Sequence, residues 1–308
     1  MSQLNSKIRS IRVNYLQKLY RKKEMPNAAD FKKIIEEKTS KFLPNIKAPH
    51  APTSTRHFTF NTLANKNTLG TQDNNLVSLV IVETRASETN ALMLTITSMR
   101  KKINAPITLI CGIKNANEAC LAMQKSGFDN YKVLRLEQQL DCADDYNRLL
   151  MSFNFWNQIH DAEKLLVFQT DSVICEKSNF SLEDFKNFDY IGGQWMIERP
   201  CGLSIYGGSG GFSLRDRKLS IQALKLFGNS SWQFGEDGFY GFFIDVLGGK
   251  VGTQQDMDNF CSEKQWKEGC FAIHKLKIIP NDREQVASIA EHCPTWLRMK
   301  GVIFSQDQ

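Results

Sequence analysis

The apolar positions of this chain change period along its length. Over residues 4–23, Leu4, Ile8, Ile11, Tyr15 and Leu19 recur at steps of three and four, and Leu16 and Tyr20 widen the stripe. That spacing predicts an amphipathic helix. Lys7, Arg9, Arg12, Lys18, Arg21, Lys22 and Lys23 surround the stripe, and Pro26 ends it. A second helix is expected over 28–41, before Pro44. From 44 to 75 the periodicity fades into three Pro and many Thr and Asn, which predicts a linker or an extended wrap over the surface. The main domain is expected to start at residue 76.

From there the pattern alternates between short apolar runs and helical spacing. Residues 76–84, LVSLVIVET, form the strongest strand signal and predict a central strand. Ser87 is placed as the cap of a helix over 88–102, with Leu92, Ile96 and Met99 on one face. A strand over 106–112, a helix over 115–125 ended by Gly127, and a strand over 131–136 follow. Asp144 or Asp145 is expected to cap a helix over 146–159. The run 164–175, KLLVFQTDSVIC, then places four apolar residues, 165–168, ahead of Gln169, Thr170, Asp171 and Ser172. This β-α-β-α-β order with short connections implies a parallel, doubly wound sheet. A carboxylate at the carboxyl end of a central strand sits where such sheets hold ligands. Later come a short helix capped by Ser181, a strand at 189–193, the glycines of 207–211, a strand through Phe212 and Leu214, and a helix over 216–227. Glu236 and Asp237 lie between glycines, and His274 lies in an apolar stretch over 272–279.

Charge changes the reading of the ends more than of the middle. The whole chain of 308 residues carries +6. Residues 1–50 hold nine Lys and three Arg against one Asp and three Glu, a surplus of +8, so the other 258 carry about −2. The basic character belongs to the N-terminal segment, and nucleic-acid binding by the main domain is not expected. The segment 4–23 suits either an anionic membrane surface or packing against the main domain. No run approaches the ~20 apolar residues that span a bilayer, and MSQLNSKIRSIRV has no secretory apolar core. The eight Cys form no C-x-x-C pair, which fits free thiols in a reducing cytosol. The expected location is the cytoplasm, either free or at the inner face of a membrane.

The glycine stretch lacks P-loop spacing and does not follow the first strand, so neither nucleotide fingerprint is present. Four motifs stand in order instead: LVFQTDS at 166–172, DYIGGQW at 189–195, GGFSLR at 210–215 and EDGF at 236–239. This succession resembles GT-A nucleotide-sugar glycosyltransferases, and more closely a poorly characterised family assigned to that class. The resemblance covers roughly 76–279. It implies a GT-A, Rossmann-like α/β domain over 76–308 with a mixed, mainly parallel central sheet. A basic helical segment over 1–45 and a linker over 46–75 precede it.

The resemblance also implies roles. A nucleoside diphosphate sugar, expected to be a UDP-sugar, would lie against Thr84, Arg85, Gln169, Thr170, Asp171, Gly210 and Gly211. Asp171 and His274 would hold Mn²⁺ or Mg²⁺. Gln169 stands where the first carboxylate of D-x-D is expected, so metal-free binding through Arg85, Lys275 or Lys277 is the alternative. Asp237 would be the base of an inverting transfer to a glycan or glycolipid hydroxyl, as in polysaccharide biosynthesis. Glu236 would bind the acceptor or orient the loop. Trp195 and Tyr206 would stack on the acceptor or belong to the core. The competing readings are a retaining transferase of the same fold and a non-catalytic nucleotide- or glycan-binding module.

Overall fold

The computed structural model describes residues 57–67, 76–159, 162–196, 207–228, 235–278 and 282–301, together with Ser10, Val13, Asn14 and Lys18. Those last four are helical, and Val13 is buried in the main core. The rest of the basic segment, the helix expected over 28–41 and Tyr206 lie outside the described residues.

The described chain opens on β1 (Phe60–Asn67) and β2 (Val77–Glu83). Every residue of β2 is buried, as its unbroken apolar run requires of a strand covered on both faces. Then come α1 (Thr89–Lys102), β3 (Ile107–Cys111), α2 (Ala116–Lys125) and β4 (Asn130–Leu136). Two short helices follow, α3 (Ala143–Leu150) and α4 (Phe153–Gln158), and lead to β5 (Lys164–Phe168) and β6 (Ser172–Ile174). The second half holds β7 (Tyr190–Gly193), β8 (Ser209–Asp216), α5 (Arg217–Phe227) and α6 (Gly235–Val246). It closes with α7 (Gln254–Phe260), β9 (Cys261–Ser262), β10 (Ala272–His274), α8 (Arg283–His292) and α9 (Pro294–Met299).

Seven strands form one sheet in the order β1-β4-β3-β2-β5-β8-β7. β4, β3, β2 and β5 are mutually parallel, whereas β1 and β8 run against their neighbours. The expected mixed, mainly parallel α/β sheet is therefore present, with β2 at its centre. Alternate residues feed opposite layers. Leu79, Ile81, Leu166 and Phe168 pack with Leu92, Ile96 and Met99 of α1 and Met123 of α2. Val80, Val82, Leu165 and Val167 pack with Leu149, Phe155, Trp156, Leu224 and Phe243 on the other side. Among the described residues no helix is long and apolar enough to cross a membrane.

Four local expectations are corrected. Part of the segment expected as linker or wrap, Phe60–Asn67, is an edge strand that pairs antiparallel with β4. Ser87 does not cap α1; it lies inside a 3-10 turn, Ala86–Glu88, and no side chain caps the helix. The single helix expected over 146–159 is two helices. Ser152 breaks it by accepting from the Phe155 N–H at 3.2 Å, which starts α4. Asp144 and Asp145 lie inside α3, and the Asp145 carboxylate accepts from the Asp141 N–H at 3.1 Å. Last, β6, β10 and β9 form a second, three-stranded sheet in that order, which the apolar pattern of such short strands did not reveal. A third apolar cluster, with Val173, Ile273, Ile289 and Trp296, backs this small sheet.

Leu166 is fully buried at the centre of the large sheet. Leu166→Ala is expected to destabilise the protein by about 2–5 kcal/mol in urea unfolding. The same measurement on Asn65→Ala, at an exposed position of the edge strand, should show a change within about 0.5 kcal/mol.

Candidate functional site

The carboxyl ends of β2 and β5 open into a cleft of about 780 Å³, walled by residues from both halves of the chain. The size suits a small-molecule site, as does the position beyond the carboxyl ends of parallel strands. Thr84, Arg85, Gln169, Asp171, Trp195, Gly210, Gly211, Glu236, Asp237 and His274 all line it. The sheet topology thus brings together every candidate residue except Thr170, Lys277 and the undescribed Tyr206.

At the end of β2, the buried Glu83 takes Arg85 in a two-point grip. Arg85 Nη2 donates to Oε2 at 2.7 Å and Nε to Oε1 at 3.0 Å. This bond to Glu83 raises the guanidinium pKa against the opposing effect of burial. Thr170 Oγ1 donates to the same carboxylate at 2.9 Å, and its carbonyl accepts from Thr95 at 2.7 Å. Thr170 is therefore buried scaffolding, which corrects its expected place against a ligand.

Asp171, His274 and Glu263 form a polar chain at the edges of the small sheet. Asp171 directly precedes β6, His274 ends β10, and Glu263 directly follows β9. His274 Nε2 stands 3.2 Å from Asp171 Oδ1 and 3.2 Å from Gln169 Oε1. Its Nδ1 lies 3.1 Å from Glu263 Oε2, close but not in line for a full hydrogen bond. Ser209 Oγ donates to that same Glu263 oxygen. Burial disfavours the charged forms, yet the facing charges prevail. His274 is raised by Asp171 and Glu263, and Asp171 is held at about 2 by His274 and Lys275. Lys275 Nζ donates to Gln169 Oε1 at 2.9 Å. Among the described residues Lys275 alone has positive φ without being glycine, at 51°. An L side chain in that region is held there by its surroundings; here the Lys275 N–H donates to the Asp171 carbonyl at 3.1 Å.

The acidic pair divides between two roles. Both residues lie in the first turn of α6, where the helix dipole favours negative charge. Glu236 is buried in a two-point ion pair with Arg215 of β8, which is itself fully buried. Both of its oxygens accept from Arg215, which fits the second of its two expected roles, orienting the loop, and not acceptor binding. Arg215 also donates to the Gly210 carbonyl at 3.3 Å and lies 5.6 Å and 5.2 Å from the ring centres of Tyr190 and Tyr240. Asp237 is partly exposed to the cleft, and its carboxylate accepts from the N–H groups of Gly210 (3.3 Å) and Gly238 (2.7 Å).

The glycines serve the protein's own side chains. A Cβ on Gly210 would overlap Glu236, and one on Gly211 would overlap the His274 ring. Both glycines also line the cleft, where a ligand was expected. Trp195 is buried in the cleft wall. Glu83, Arg215 and Glu263 were not singled out from sequence. Arg215, a charge inside the apolar stretch GGFSLR, was a usable signal, because a buried charge demands a partner. Glu83, an acid closing an apolar strand, was another.

A family model described as "Protein of unknown function (DUF5672)" matches residues 130–277, just short of half the chain. The match spans every cleft residue named above except Glu83, Thr84 and Arg85. No curated protein matches the chain. Among solved structures, core-mannan synthase A (CmsA/Ktr4) from Aspergillus fumigatus in its Mn/GDP form is similar over 77% of this chain and 88% of that one. Identity is 10% and the TM-score 0.43. A likeness at that level assigns no role to any residue here.

Three substitutions test this geometry. Arg215→Met leaves the Glu236 charge buried and unmatched, so a loss of about 3–5 kcal/mol is expected in denaturant unfolding. Adding Glu236→Leu to Arg215→Met should restore much of that stability. Gly211→Ala should displace His274 and perturb the histidine ring signals in NMR spectra, while the far-ultraviolet circular dichroism stays native.

Proposed function

We propose that the chain is a glycosyltransferase that moves a sugar from a nucleoside diphosphate donor, a UDP-sugar, to a hydroxyl of a glycan or glycolipid acceptor with inversion. The observation that carries this reading is the meeting, in one cleft, of Gln169, Asp171, His274 and Lys275 with the acidic first turn of α6. The motif resemblance to GT-A transferases supports it. So does the position of the cleft beyond β2 and β5.

A divalent cation fits the residues present. Glu83 and Glu236 are matched by Arg85 and Arg215, and Glu263 faces the His274 imidazole. Asp141, Asp144, Asp171 and Asp237 also line the cleft, with Lys275 as its remaining cation among the described residues. A diphosphate entering so acidic a wall calls for added positive charge. Asp171 and His274 would hold the cation, their facing atoms 3.2 Å apart, with the Gln169 amide oxygen, which now accepts from Lys275, beside them. Among the described residues no group of three or more His, Cys, Asp or Glu is arranged to hold a metal, so the site would rely on that amide oxygen as well as on the donor's own diphosphate. When bound, the cation would offset charge on the leaving diphosphate.

The protein's own groups would do the rest. Asp237 takes the acceptor hydroxyl proton as the oxygen attacks the anomeric carbon and the bond to the diphosphate breaks. Lys275 meets charge growing on the leaving group. Arg85 is already neutralised by Glu83, so its planar guanidinium serves to orient the nucleoside part of the donor. The basic segment 4–23 would bring the enzyme to an anionic membrane surface carrying a lipid-linked acceptor.

A thermal-shift screen of nucleotide sugars with and without Mn²⁺ is expected to stabilise the protein only with the correct donor, by mass action. Asp237→Asn should lower transfer by roughly 10²–10⁴ while UDP-sugar binding survives. Undiminished turnover by that variant removes Asp237 from the role of base, and a product that keeps the donor's anomeric configuration favours the retaining reading.

A further inference from the structure

The geometry points to Glu263 as the positioning residue of the cleft: its carboxylate faces His274 Nδ1 from behind by charge, without an aligned hydrogen bond, and leaves Nε2 toward Asp171 and Gln169. This role deepens the transferase reading and rests on it. Glu263 is 4% exposed and His274 1%, so both are out of water. The imidazole has two nitrogens with separate tasks. Nε2 stands 3.2 Å from both Asp171 Oδ1 and Gln169 Oε1, while Nδ1 is met from behind by Glu263 Oε2 at 3.1 Å. A carboxylate behind an imidazole selects which nitrogen is left for a cation and fixes the ring plane.

Glu263 is itself held on two sides. Ser209 Oγ donates to Oε2. Its backbone is pinned by Gln194, whose side-chain oxygen accepts from three successive N–H groups, those of Glu263 (3.2 Å), Lys264 (3.0 Å) and Gln265 (2.8 Å). Gln194 Nε2 in turn donates to Asp258 at 2.9 Å. Such a three-amide nest with its acceptor supplied from within is a rigid mount. The glycine opposite completes it: a Cβ on Gly193 would press on Glu263 Oε2 at 2.8 Å. So many restraints on one carboxylate that does not reach the ligand-facing nitrogen mark it as a support and not as a ligand.

The test is equilibrium Mn²⁺ binding to the full chain in the presence of UDP, read by electron paramagnetic resonance. Wild-type protein should take up one Mn²⁺ tightly. Glu263→Gln should weaken that uptake by roughly 10–100-fold, with UDP affinity in the absence of metal unchanged. The double variant Glu263→Gln/His274→Asn should bind Mn²⁺ no more weakly than His274→Asn, because the two residues act as one unit. Ser209→Ala, which loosens the same carboxylate, should give a smaller loss in the same direction and serves if Glu263→Gln does not fold. Uptake by Glu263→Gln equal to wild type, additive losses in the double variant, or no uptake by wild type each overturn the role of Glu263. UDP binding and sugar transfer by wild type are read separately. If they persist when the Mn²⁺ result fails, only the Glu263 role falls; if UDP does not bind at all, the transferase reading falls.

Discussion

The buried pair between Arg215 and Glu236 is the constraint on which the cleft depends. Removing two charges from water is costly, and the pair is tolerated because the geometry is bidentate and two further guanidinium N–H groups donate to Ser213 Oγ and the Gly210 carbonyl. Two aromatic rings flank the cation. The consequence is mechanical. β8 lies between β5 and β7 in the large sheet, and α6 packs on one face of it. The ion pair ties the first turn of α6 to that strand, so the next residue, Asp237, is delivered to the cleft with little freedom. Gly210 is glycine because the tie leaves no room for anything larger.

The same design appears three times. Among the described residues three buried glutamates, Glu83, Glu236 and Glu263, each face a nitrogen base, Arg85, Arg215 or His274. Beside them, the shorter aspartates Asp171 and Asp237 face the open space. The cleft therefore separates charges that hold from charges that are presented. The Arg215–Glu236 tie lies out of water, where its hydrogen bonds are strong, while Asp171 and Asp237 remain partly solvated.

Sequence patterning revealed the frame well because β2 and β5 are continuous apolar runs and the helices between them keep a clear period. It also placed Gln169 and Asp171 beyond the carboxyl end of β5, and the order of the motifs set Asp237 and His274 near them. What it missed depends on contacts between residues far apart in the chain. Nothing local in EDGF says that one acid points inward to Arg215 while its neighbour points outward. Glu263 follows a strand of two residues, too short for any periodic signal. β1 was hidden by a polar sequence, because an edge strand exposed on most of its length has no apolar alternation to display. The break between α3 and α4 came from one serine whose hydroxyl competes with the helical backbone.

The small sheet has a further consequence. β10 is the last of its three strands in the chain and the middle one in space. Neither β6 nor β9 has a partner until residues 272–274 slide between them. The large sheet is finished much earlier, since its final strand ends at Asp216. During synthesis from the N-terminus, the supporting frame can therefore condense while the cleft still lacks His274. Assembly of the body and assembly of the reactive centre are separate events in time, and a growing chain is shaped before it is armed.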